Sequence, residues 1–319
     1  MKQLTVEDIS TLYEQIKGAV ETVVCGAENT VRMLTIASLC GGHVLLEDLP
    51  GCGKTTLVKA FAKAVGCDCK RIQCTPDLMP ADITGFQMLT QSADGTREMV
   101  FRKGPVFTNL LIADEINRMA PRTQSGLLEC MAEKQVSCDG VTYALPQPFL
   151  VIATQNPIEL QGTFPLPEAQ LDRFFMRLTM GKPQREQELA ILTTRQTADP
   201  LDALQPVTTP ETLLAAQKAV RTVRAEDSIL HYLLDICDAT RNHAQVRFGI
   251  STRGALTLRL AAQANAAIEG RDYLLADDIQ AVLPAVCAHR IHASSNLVAD
   301  SKSAANLLQE LLRSVEAPR

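Results

Sequence analysis

Residues 43–56 read HVLLEDLPGCGKTT and join three segments of different character. The apolar residues at the start of this stretch predict a short buried strand. Gly51 and Gly53 follow, and they allow a tight loop whose backbone N–H groups turn inward. Lys54 then opens a segment with apolar residues at helical spacing. A strand, a glycine-rich loop and a helix that begins with Lys-Thr are typical of a phosphate-binding loop.

The residue types of this loop suggest how it would hold a nucleotide. Backbone N–H groups and the helix N-terminus favour anionic oxygens, Lys54 would reach the β and γ phosphates, and the Thr55 hydroxyl would be a ligand of Mg²⁺. The common form of the pattern begins with Gly where this chain has Asp48, so a strict pattern search would miss it. The residues that we expect to bind the phosphates are Pro50, Gly51, Cys52, Gly53, Lys54, Thr55 and Thr56.

Composition restricts the classes of protein to which the chain can belong. Its net charge is −5, and no basic run or tail stands out, which argues against indiscriminate nucleic-acid binding. The first residues lack the apolar core of a signal peptide, and no segment is apolar enough to span a bilayer. The ten cysteines occur mostly in apolar segments, where they are typical small buried residues. We therefore expect a cytoplasmic protein with reduced cysteines.

The pattern of strands and helices changes near residue 183. Before that point, short apolar strands alternate with helical segments, which predicts βαβ units and a parallel sheet. Two hairpins with Asp-Gly turns, at about residues 85–102 and 135–144, interrupt this region, and we expect them to contact a partner or a neighbouring subunit. The later residues show mainly helical patterns. We expect an α/β domain over residues 1–183 and a helical domain over residues 184–319.

Polar residues follow two of the predicted strands. The apolar run 110–113 leads directly into Asp114 and Glu115, and another apolar strand ends just before Asn156. In an open parallel sheet, ligands bind at the carboxyl ends of the strands. We expect Asp114 to hold Mg²⁺, usually through water, Glu115 to orient and deprotonate the attacking water, and Asn156 to fix that water against the γ phosphate.

Two arginines complete the set of candidate catalytic residues. Arg173 lies in LDRF and Arg253 lies in GISTRG. An arginine near the γ phosphate can stabilise the charge of the transition state. Pro165 and Pro167 stiffen the loop before Arg173, so we expect Arg173 to project across an interface rather than fold back onto its own phosphate loop. Arg253 belongs to the predicted helical domain, and we expect it to serve the phosphate loop of its own chain.

These segments, taken in order, resemble the AAA+ ATPases, and more narrowly the MoxR family. EDLPGCGKTT resembles the Walker A motif, and LLIADEINRMAPRTQSGLLECM resembles the Walker B motif and the helix after it. IATQNPIELQGTFPLPEAQLDRF resembles the sensor 1 and arginine-finger stretch. RIQCTPDLMPADITG and GRDYLLADDI also look like family segments. Sensor 2 of the family usually reads Ser-Pro-Arg, and the corresponding residues 251–253 here read STR.

The resemblance implies a parallel five-stranded sheet with strand order 5-1-4-3-2, followed by an all-helical lid domain. It also implies ATP and Mg²⁺ as cofactors, Val24 and Gly26 as contacts of the adenine, and a homo-oligomeric ring, commonly a hexamer, with nucleotide between subunits. MoxR proteins are linked to chaperone-like maturation of other proteins, often with a partner that contains a von Willebrand factor A domain. We therefore expect Mg²⁺-dependent ATP hydrolysis coupled to remodelling, assembly or maturation of a partner protein.

Three other functions are compatible with these motifs. A motor subunit of a metal chelatase would come from a related AAA+ group with similar hairpin insertions. A motor that acts on DNA is disfavoured by the acidic net charge and by the lack of patches that combine basic and aromatic residues. A nucleotide-gated binding module without turnover is disfavoured by the presence of Glu115, Asn156 and Arg173.

Overall fold

The structure is a computed structural model that describes residues 4–47, 52–91, 97–157, 162–181, 185–194, 200–293 and 301–318. Pro50 and Gly51 of the predicted phosphate loop lie outside the described residues, as does the predicted turn at residues 94–95. The other candidate site residues all lie within the described ranges.

A parallel sheet forms the centre of the α/β region. The strands, in chain order, are β1 (Val44–Glu47), β2 (Cys69–Gln73), β3 (Gly85–Gln91), β4 (Arg97–Lys103), β5 (Leu110–Asp114), β6 (Gln135–Cys138), β7 (Val141–Ala144), β8 (Leu150–Gln155), β9 (Met176–Leu178), β10 (Val246–Phe248) and β11 (His292–Ala293). Five of them form one parallel sheet in the order β2-β5-β8-β1-β9. Numbered among themselves and taken from the other side, these strands follow the order 5-1-4-3-2, which confirms the predicted fold class.

Several helices begin and end where the local sequence favours it. Thr5 and Asp8 form a capping box before the first helix: Asp8 Oδ2 accepts from the Thr5 N–H at 2.9 Å, and Thr5 Oγ1 accepts from the Asp8 N–H at 3.3 Å. The second helix ends at Gly41, whose φ of 65° is a left-handed conformation that glycine adopts readily. The helices are α1 (Val6–Glu21), α2 (Glu28–Cys40), α3 (Lys54–Ala64), α4 (Pro80–Thr84), α5 (Pro121–Glu133), α6 (Glu168–Leu171), α7 (Arg185–Thr194), α8 (Pro200–Ala203), α9 (Pro210–Val220), α10 (Asp227–Arg241), α11 (Thr252–Ile268), α12 (Ala276–Cys287) and α13 (Ser301–Ser314), with two 3₁₀ helices, η1 (Ile116–Arg118) and η2 (Ala288–Arg290).

The buried strands divide the hydrophobic core into two clusters. In β5, Leu110 and Ile112 pack into a larger cluster with residues of α1, α2 and α3, whereas Leu111 and Ala113 pack into a smaller cluster with residues of α5. The larger cluster also contains buried residues of α9 to α13. The helices of the predicted second domain therefore share a core with the α/β region, and the division at residue 183 stays a prediction.

The two hairpins lie outside the central sheet and contact each other. Phe101 of β4 stacks on Tyr143 of β7 with ring centroids 4.1 Å apart, and it meets Phe107 edge-on at 5.7 Å. By contrast, Met88 of β3 and Met99 of β4 are 39% and 59% exposed. Exposed apolar side chains are typical of interaction surfaces, and the expected contact with a partner or a neighbouring subunit stays a prediction.

The cysteines are present as free thiols, all ten of them within the described residues. Four are buried, and desolvation raises their pKa values, to about 12 for Cys74 and Cys287 and to about 11 for Cys130 and Cys237. These thiols therefore stay protonated at neutral pH and pack as small apolar side chains. Among the described helices, none has the length and apolar character needed to cross a membrane.

Candidate active site

Three neighbouring strands bring their carboxyl ends to one edge of the sheet. β8 lies between β5 and β1, and Ala153 of β8 is level with Ala113 of β5 and with Leu45 of β1. Adjacent strands in a sheet are about 4.8 Å apart. Asp114 and Thr154, which follow these positions, therefore lie beside the segment that enters the phosphate loop. We call the residues at the ends of β5, β8 and β1 the carboxyl edge.

The described part of the phosphate loop is suited to an anion. Gly53 has a φ of 78°, a left-handed conformation that costs glycine little. α3 then begins at Lys54, and in the described chain its start has neither a side-chain cap nor an acidic residue in the first turn. The first N–H groups of a helix have no partner within the helix and favour negative charge. The helix start formed by Lys54, Thr55 and Thr56 therefore fits the phosphates of a nucleotide, with Cys52 in the loop before it.

Asp114 is buried at the carboxyl edge and already faces a cation. Its side chain is 7% exposed, and Arg71 Nε lies 2.5 Å from Asp114 Oδ2. The Thr154 hydroxyl donates to Asp114 Oδ1 at 3.2 Å. Carboxylate and hydroxyl oxygens are the ligand types that Mg²⁺ prefers. Asp114 and Thr55 therefore supply donors that fit the expected metal.

Glu115 is held in an unusual backbone conformation at the end of β5. Its φ of 59° and ψ of 53° are left-handed, which costs a non-glycine residue about 1–3 kcal/mol and is common at functional sites. The Glu115 N–H donates to Thr154 Oγ1 at 2.9 Å. The carboxylate oxygen Oε2 accepts from Gln73 Nε2 at 2.9 Å and lies 3.2 Å from Arg118 Nε. These contacts fix the direction of the carboxylate at the edge of the sheet.

Asn156 also lies at the carboxyl edge. It directly follows β8, and its carbonyl oxygen accepts a hydrogen bond from Asn117 Nδ2 at 3.5 Å. Asn117 is 4% exposed, and its Oδ1 atom has no hydrogen-bond partner among the described residues. Since β8 adjoins both β5 and β1, Asn156 lies between the two acidic residues and the phosphate loop, and its role in orienting water stays a prediction.

The sequence did not single out Arg71 and Gln73 as residues of this edge. Arg71 and Gln73 alternate along β2, and Gln73 is level with Asp114 of the adjoining strand β5. Both side chains therefore share the face that turns towards the acids. The alternation of polar residues is visible in the sequence, but the strand order that makes β2 and β5 neighbours is needed to interpret it.

Arg173 lies at the opposite ends of the strands, away from the carboxyl edge. The Phe175 N–H donates to the His43 carbonyl at 2.7 Å, and β9 runs parallel to β1. Arg173 therefore lies near the amino end of β1, whereas the phosphate loop follows its carboxyl end. Arg173 Nη1 donates to the Leu128 carbonyl of α5 at 2.8 Å. We call the region at the amino ends of β1 and β9 the amino edge.

Arg253 lies at the amino edge as well, which contradicts the expectation that it serves the phosphate loop of its own chain. Arg253 Nη1 is 3.7 Å from Asp172 Oδ2, and its side chain is 76% exposed. α11, which begins with Thr252 and Arg253, packs against α1, α2 and α12. This packing directs the start of the helix to Asp172, away from the carboxyl edge.

A basic cleft surrounds these two arginines. It has a volume of about 710 Å³ and is bordered by Gly42 and His43 just before β1. Asp172 is the acidic residue among those that line it. The basic residues that line the cleft are Lys134, Arg173, Arg221, Arg253, Arg259 and Arg290. The cleft can therefore attract an anionic group that is presented from outside the chain.

Val24 and Gly26 lie in the turn between α1 and α2. The N–H of Val24 donates to the Val20 carbonyl at 3.0 Å, so this segment extends the end of α1. Gly26 has a φ of 75°, and an added Cβ atom would lie 2.2 Å from Gln187 Nε2 of α7. Glycine is therefore favoured here by its backbone conformation, since the nearby atoms belong to the end of the flexible Gln187 side chain. Contact with an adenine stays a prediction.

The order of the strands and the positions of the phosphate loop and the acids define an AAA+ ATPase. Residues 43–176 match the family described as the ATPase family associated with various cellular activities (AAA), and residues 238–311 match the AAA lid domain. The matched lid begins well after residue 184, where we expected the helical domain to begin.

Relatives over nearly the whole chain identify the family more narrowly. The Mycobacterium tuberculosis protein named chaperone MoxR1 is 39% identical over 94% of this chain and 81% of its own length. Protein MoxR of Paracoccus denitrificans is 33% identical over 91% of each chain. The Bacillus subtilis protein YeaC, which is named as uncharacterized, is 43% identical over 98% of this chain and 97% of its own. The chain belongs to the MoxR family of AAA+ ATPases.

A solved structure agrees with this assignment. The crystal structure of a protein from Cytophaga hutchinsonii, provisionally described as an ATPase, superposes with a TM-score of 0.87. The two chains are 36% identical, and the match covers 98% of each. The arrangement of the sheet and the helices described above is therefore that of a family fold.

Proposed function

We propose that this protein is a Mg²⁺-dependent ATPase that hydrolyses ATP between neighbouring copies of a ring and uses the turnover to remodel a partner protein. The observation that carries the proposal is the separation of the candidate residues. The phosphate loop, Asp114, Glu115 and Asn156 lie at the carboxyl edge, whereas Arg173 and Arg253 lie at the amino edge. One copy therefore has two incomplete halves of a site for phosphoryl transfer.

The carboxyl edge supplies the groups that bind the phosphates and activate water. Lys54 and the start of α3 would hold the phosphates, and Thr55 and Asp114 would hold Mg²⁺. When bound, Mg²⁺ neutralises phosphate charge. Glu115 takes a proton from the attacking water, which Asn156 helps to orient. Arg71 pairs with Asp114 Oδ2, so its guanidinium would compete with the metal for this carboxylate.

The amino edge supplies the cationic groups that act on a neighbouring copy. Arg173 and Arg253 face the same basic cleft, and a neighbour that presents its carboxyl edge there would place the γ phosphate near both arginines. Two different surfaces meet in such a contact, and a heterologous contact of this kind forms a ring when the rotation between neighbouring copies closes. The family resemblance favours a hexamer.

The dependence of turnover on protein concentration tests this proposal. Specific ATPase activity with Mg²⁺ should rise with protein concentration until assembly is complete, and it should disappear when EDTA removes the metal. Sedimentation of the same samples with a slowly hydrolysed ATP analogue relates the activity to the assembled fraction. A specific activity that is constant across the transition from monomer to oligomer would contradict the proposal.

The remodelling of a partner protein is supported by the name of the M. tuberculosis relative, a chaperone, and by the exposed apolar hairpins. A partner with a von Willebrand factor A domain is the expectation from the family resemblance. Affinity capture with Glu115→Gln, which should retain ATP, can be compared with capture by Lys54→Ala, which should not bind it. A partner of a nucleotide-driven ATPase should be enriched by the first variant and absent with the second.

A further inference from the structure

We propose that Arg290 and Asp172 are positioning residues that hold Arg173 and Arg253 in the orientation needed by a neighbouring phosphate. The inference rests on the proposed function, because it assigns how the two arginines of the amino edge are kept in place. It concerns residues that neither the phosphate loop nor the acidic pair requires. Arg290 lies in η2, near the end of the helical region, and Asp172 lies in the short segment between α6 and β9.

Arg290 donates hydrogen bonds to backbone carbonyls on both sides of Arg173 in the sequence. Its side chain is 4% exposed. Nη2 donates to the Phe174 carbonyl at 2.7 Å and to the Asp172 carbonyl at 3.3 Å, and Nη1 donates to the Phe175 carbonyl at 3.2 Å. The residue before Arg173 and the two residues after it are thus bound to one planar guanidinium group. A planar group with fixed donors restricts the directions available to the backbone between them.

The carboxylate of Asp172 joins this buried arginine to the exposed one. Asp172 Oδ1 accepts from Arg290 Nε at 2.8 Å, and Asp172 Oδ2 lies 3.7 Å from Arg253 Nη1. The Arg253 side chain is 76% exposed. An exposed arginine without a fixed partner can adopt many rotamers. Because Asp172 is itself fixed by Arg290, the ion pair restricts Arg253 relative to Arg173.

The same contacts connect distant parts of the chain. Arg290 and Asp172 are separated by 118 positions, and His289 Nε2 lies 3.0 Å from the Phe174 carbonyl beside them. A buried guanidinium that only stabilised the fold would be satisfied by any set of acceptors. Here the acceptors are the carbonyls of residues 172, 174, 175 and 286 and the Asp172 carboxylate; three of the four carbonyls flank Arg173, and the carboxylate is shared with Arg253. We therefore assign a role in positioning.

Asp172→Asn is the most informative variant, because the Asp172 side chain is 29% exposed and the change preserves its size. Arg290 keeps its backbone acceptors in this variant, so we expect the chain to fold. ATP affinity should stay close to wild type, since the carboxyl edge is unchanged. kcat should fall by about tenfold to a hundredfold, the range for catalytic groups that are slightly misplaced.

The matched control is Asp272→Asn. Asp272 is an exposed residue of the helical region whose Oδ2 pairs with Arg224 Nη2 at 3.4 Å. The control removes the same charge and the same kind of ion pair, but away from the basic cleft. Kd for ATP, kcat, the melting temperature and the assembled fraction are measured for both variants and for wild type. The control should match wild type in all four.

Mixing experiments distinguish positioning from a structural defect. Asp172→Asn should regain activity when mixed with Lys54→Ala, because an intact phosphate loop of the first then meets intact arginines of the second. With random assembly, about one quarter of the interfaces have this composition, given one heterologous contact per neighbouring pair. Asp172→Asn mixed with Arg173→Ala should show no gain over the residual activity of Asp172→Asn alone, since neither variant supplies an intact amino edge.

The proposal is overturned if Asp172→Asn keeps wild-type kcat, if it loses ATP affinity as much as kcat, or if Lys54→Ala does not restore it. Should Asp172→Asn melt below the assay temperature, Asp172→Glu decides, because it keeps the charge. A folded Asp172→Glu variant with less than about a tenth of wild-type kcat would show that the charge is not what matters. If both Asp172→Asn and Arg173→Ala keep wild-type activity, the proposed function fails as well. If only Arg173→Ala is defective, this inference alone fails.

Discussion

The carboxyl edge and the amino edge of the sheet are built in different ways. At the carboxyl edge, each functional group follows a strand, so adjacent strands bring Asp114, Asn156 and the phosphate loop together. At the amino edge, the arginines come from the loop before β9, from α11 and from η2, and long-range contacts such as Arg290 with Asp172 hold them. Neither edge alone has the groups needed for phosphoryl transfer. Under the proposed function, the two edges of neighbouring copies together supply these groups.

The largest expected effect concerns the amino edge. Arg173→Ala should bind ATP nearly as wild type and hydrolyse it about 10³–10⁵ times more slowly, the range for arginines that act in trans. Steady-state turnover and equilibrium binding of a fluorescent ATP analogue measure the two quantities. Arg224→Ala is the control, since it removes an exposed arginine of the helical region that lies outside the cleft. A comparable loss of turnover in both variants would show that the effect is not specific to the arginines of the amino edge.

At the carboxyl edge, Glu115→Gln should lower kcat by about 10²–10⁴, the contribution of general acid–base catalysis, and should preserve ATP binding. The amide oxygen can still accept from Gln73 Nε2, so the local geometry is kept. Lys54→Ala should instead lose ATP binding, because Lys54 contacts phosphate before the reaction begins. Equal ATP affinities in the two variants would contradict this division of roles.

The amino edge should also show a particular dependence of stability on pH. His43 Nδ1 accepts from the Val151 N–H at 3.0 Å, His43 Nε2 donates to the Met131 carbonyl at 3.0 Å, and burial lowers the His43 pKa to about 4. The neutral ring is therefore favoured by folding, so its contribution is present above the unfolded pKa near 6.5 and is lost as pH falls towards 4.

Between pH 7 and pH 5, this histidine alone should reduce the free energy of unfolding by an amount on the order of 2 kcal/mol. Urea unfolding of wild type and His43→Gln at both pH values measures the effect as a difference of differences. The variant should lose less stability than wild type on acidification. Parallel losses in the two proteins would show that His43 does not sense the change.

The smallest expected effect concerns access of the metal to Asp114. Arg71 is half-exposed, and its ion pair with Asp114 is worth at most about 1 kcal/mol after solvent screening. Arg71→Gln should therefore lower the Mg²⁺ concentration for half-maximal ATPase activity by up to about fivefold. Lys70→Gln is the matched control, because Lys70 lies on the other face of β2 and its Nζ donates to the Phe107 carbonyl. An unchanged Mg²⁺ requirement in Arg71→Gln would mean that the pair does not compete with the metal.

The sequence predicted the carboxyl edge well because its information is local. A buried strand that ends in Asp114 and Glu115 predicts where those acids lie once the sheet is parallel, and the strand order agreed with the family resemblance. Arg71 and Gln73 were not predicted, since their role depends on which strand adjoins β2.

The amino edge was predicted less well because its contacts join residues far apart in the chain. Arg253 was expected to serve its own phosphate loop, and the packing of α11 places it beside Asp172 instead. No pattern in the sequence identified Arg290 as a functional residue, although it is buried and makes the central contacts around Arg173. Such contacts depend on tertiary packing, which no local pattern records.

The central claim, that each active site takes its phosphate loop from one copy and its arginines from the next, is tested most directly by mixing two inactive variants. Arg173→Ala and Lys54→Ala, each inactive alone, should regain up to about a quarter of wild-type ATPase activity when they assemble together at equal amounts. Arg253→Ala should be rescued by Lys54→Ala in the same way, since Arg253 lies at the same edge. Co-assembly without any gain in activity, for either arginine variant, would contradict the account.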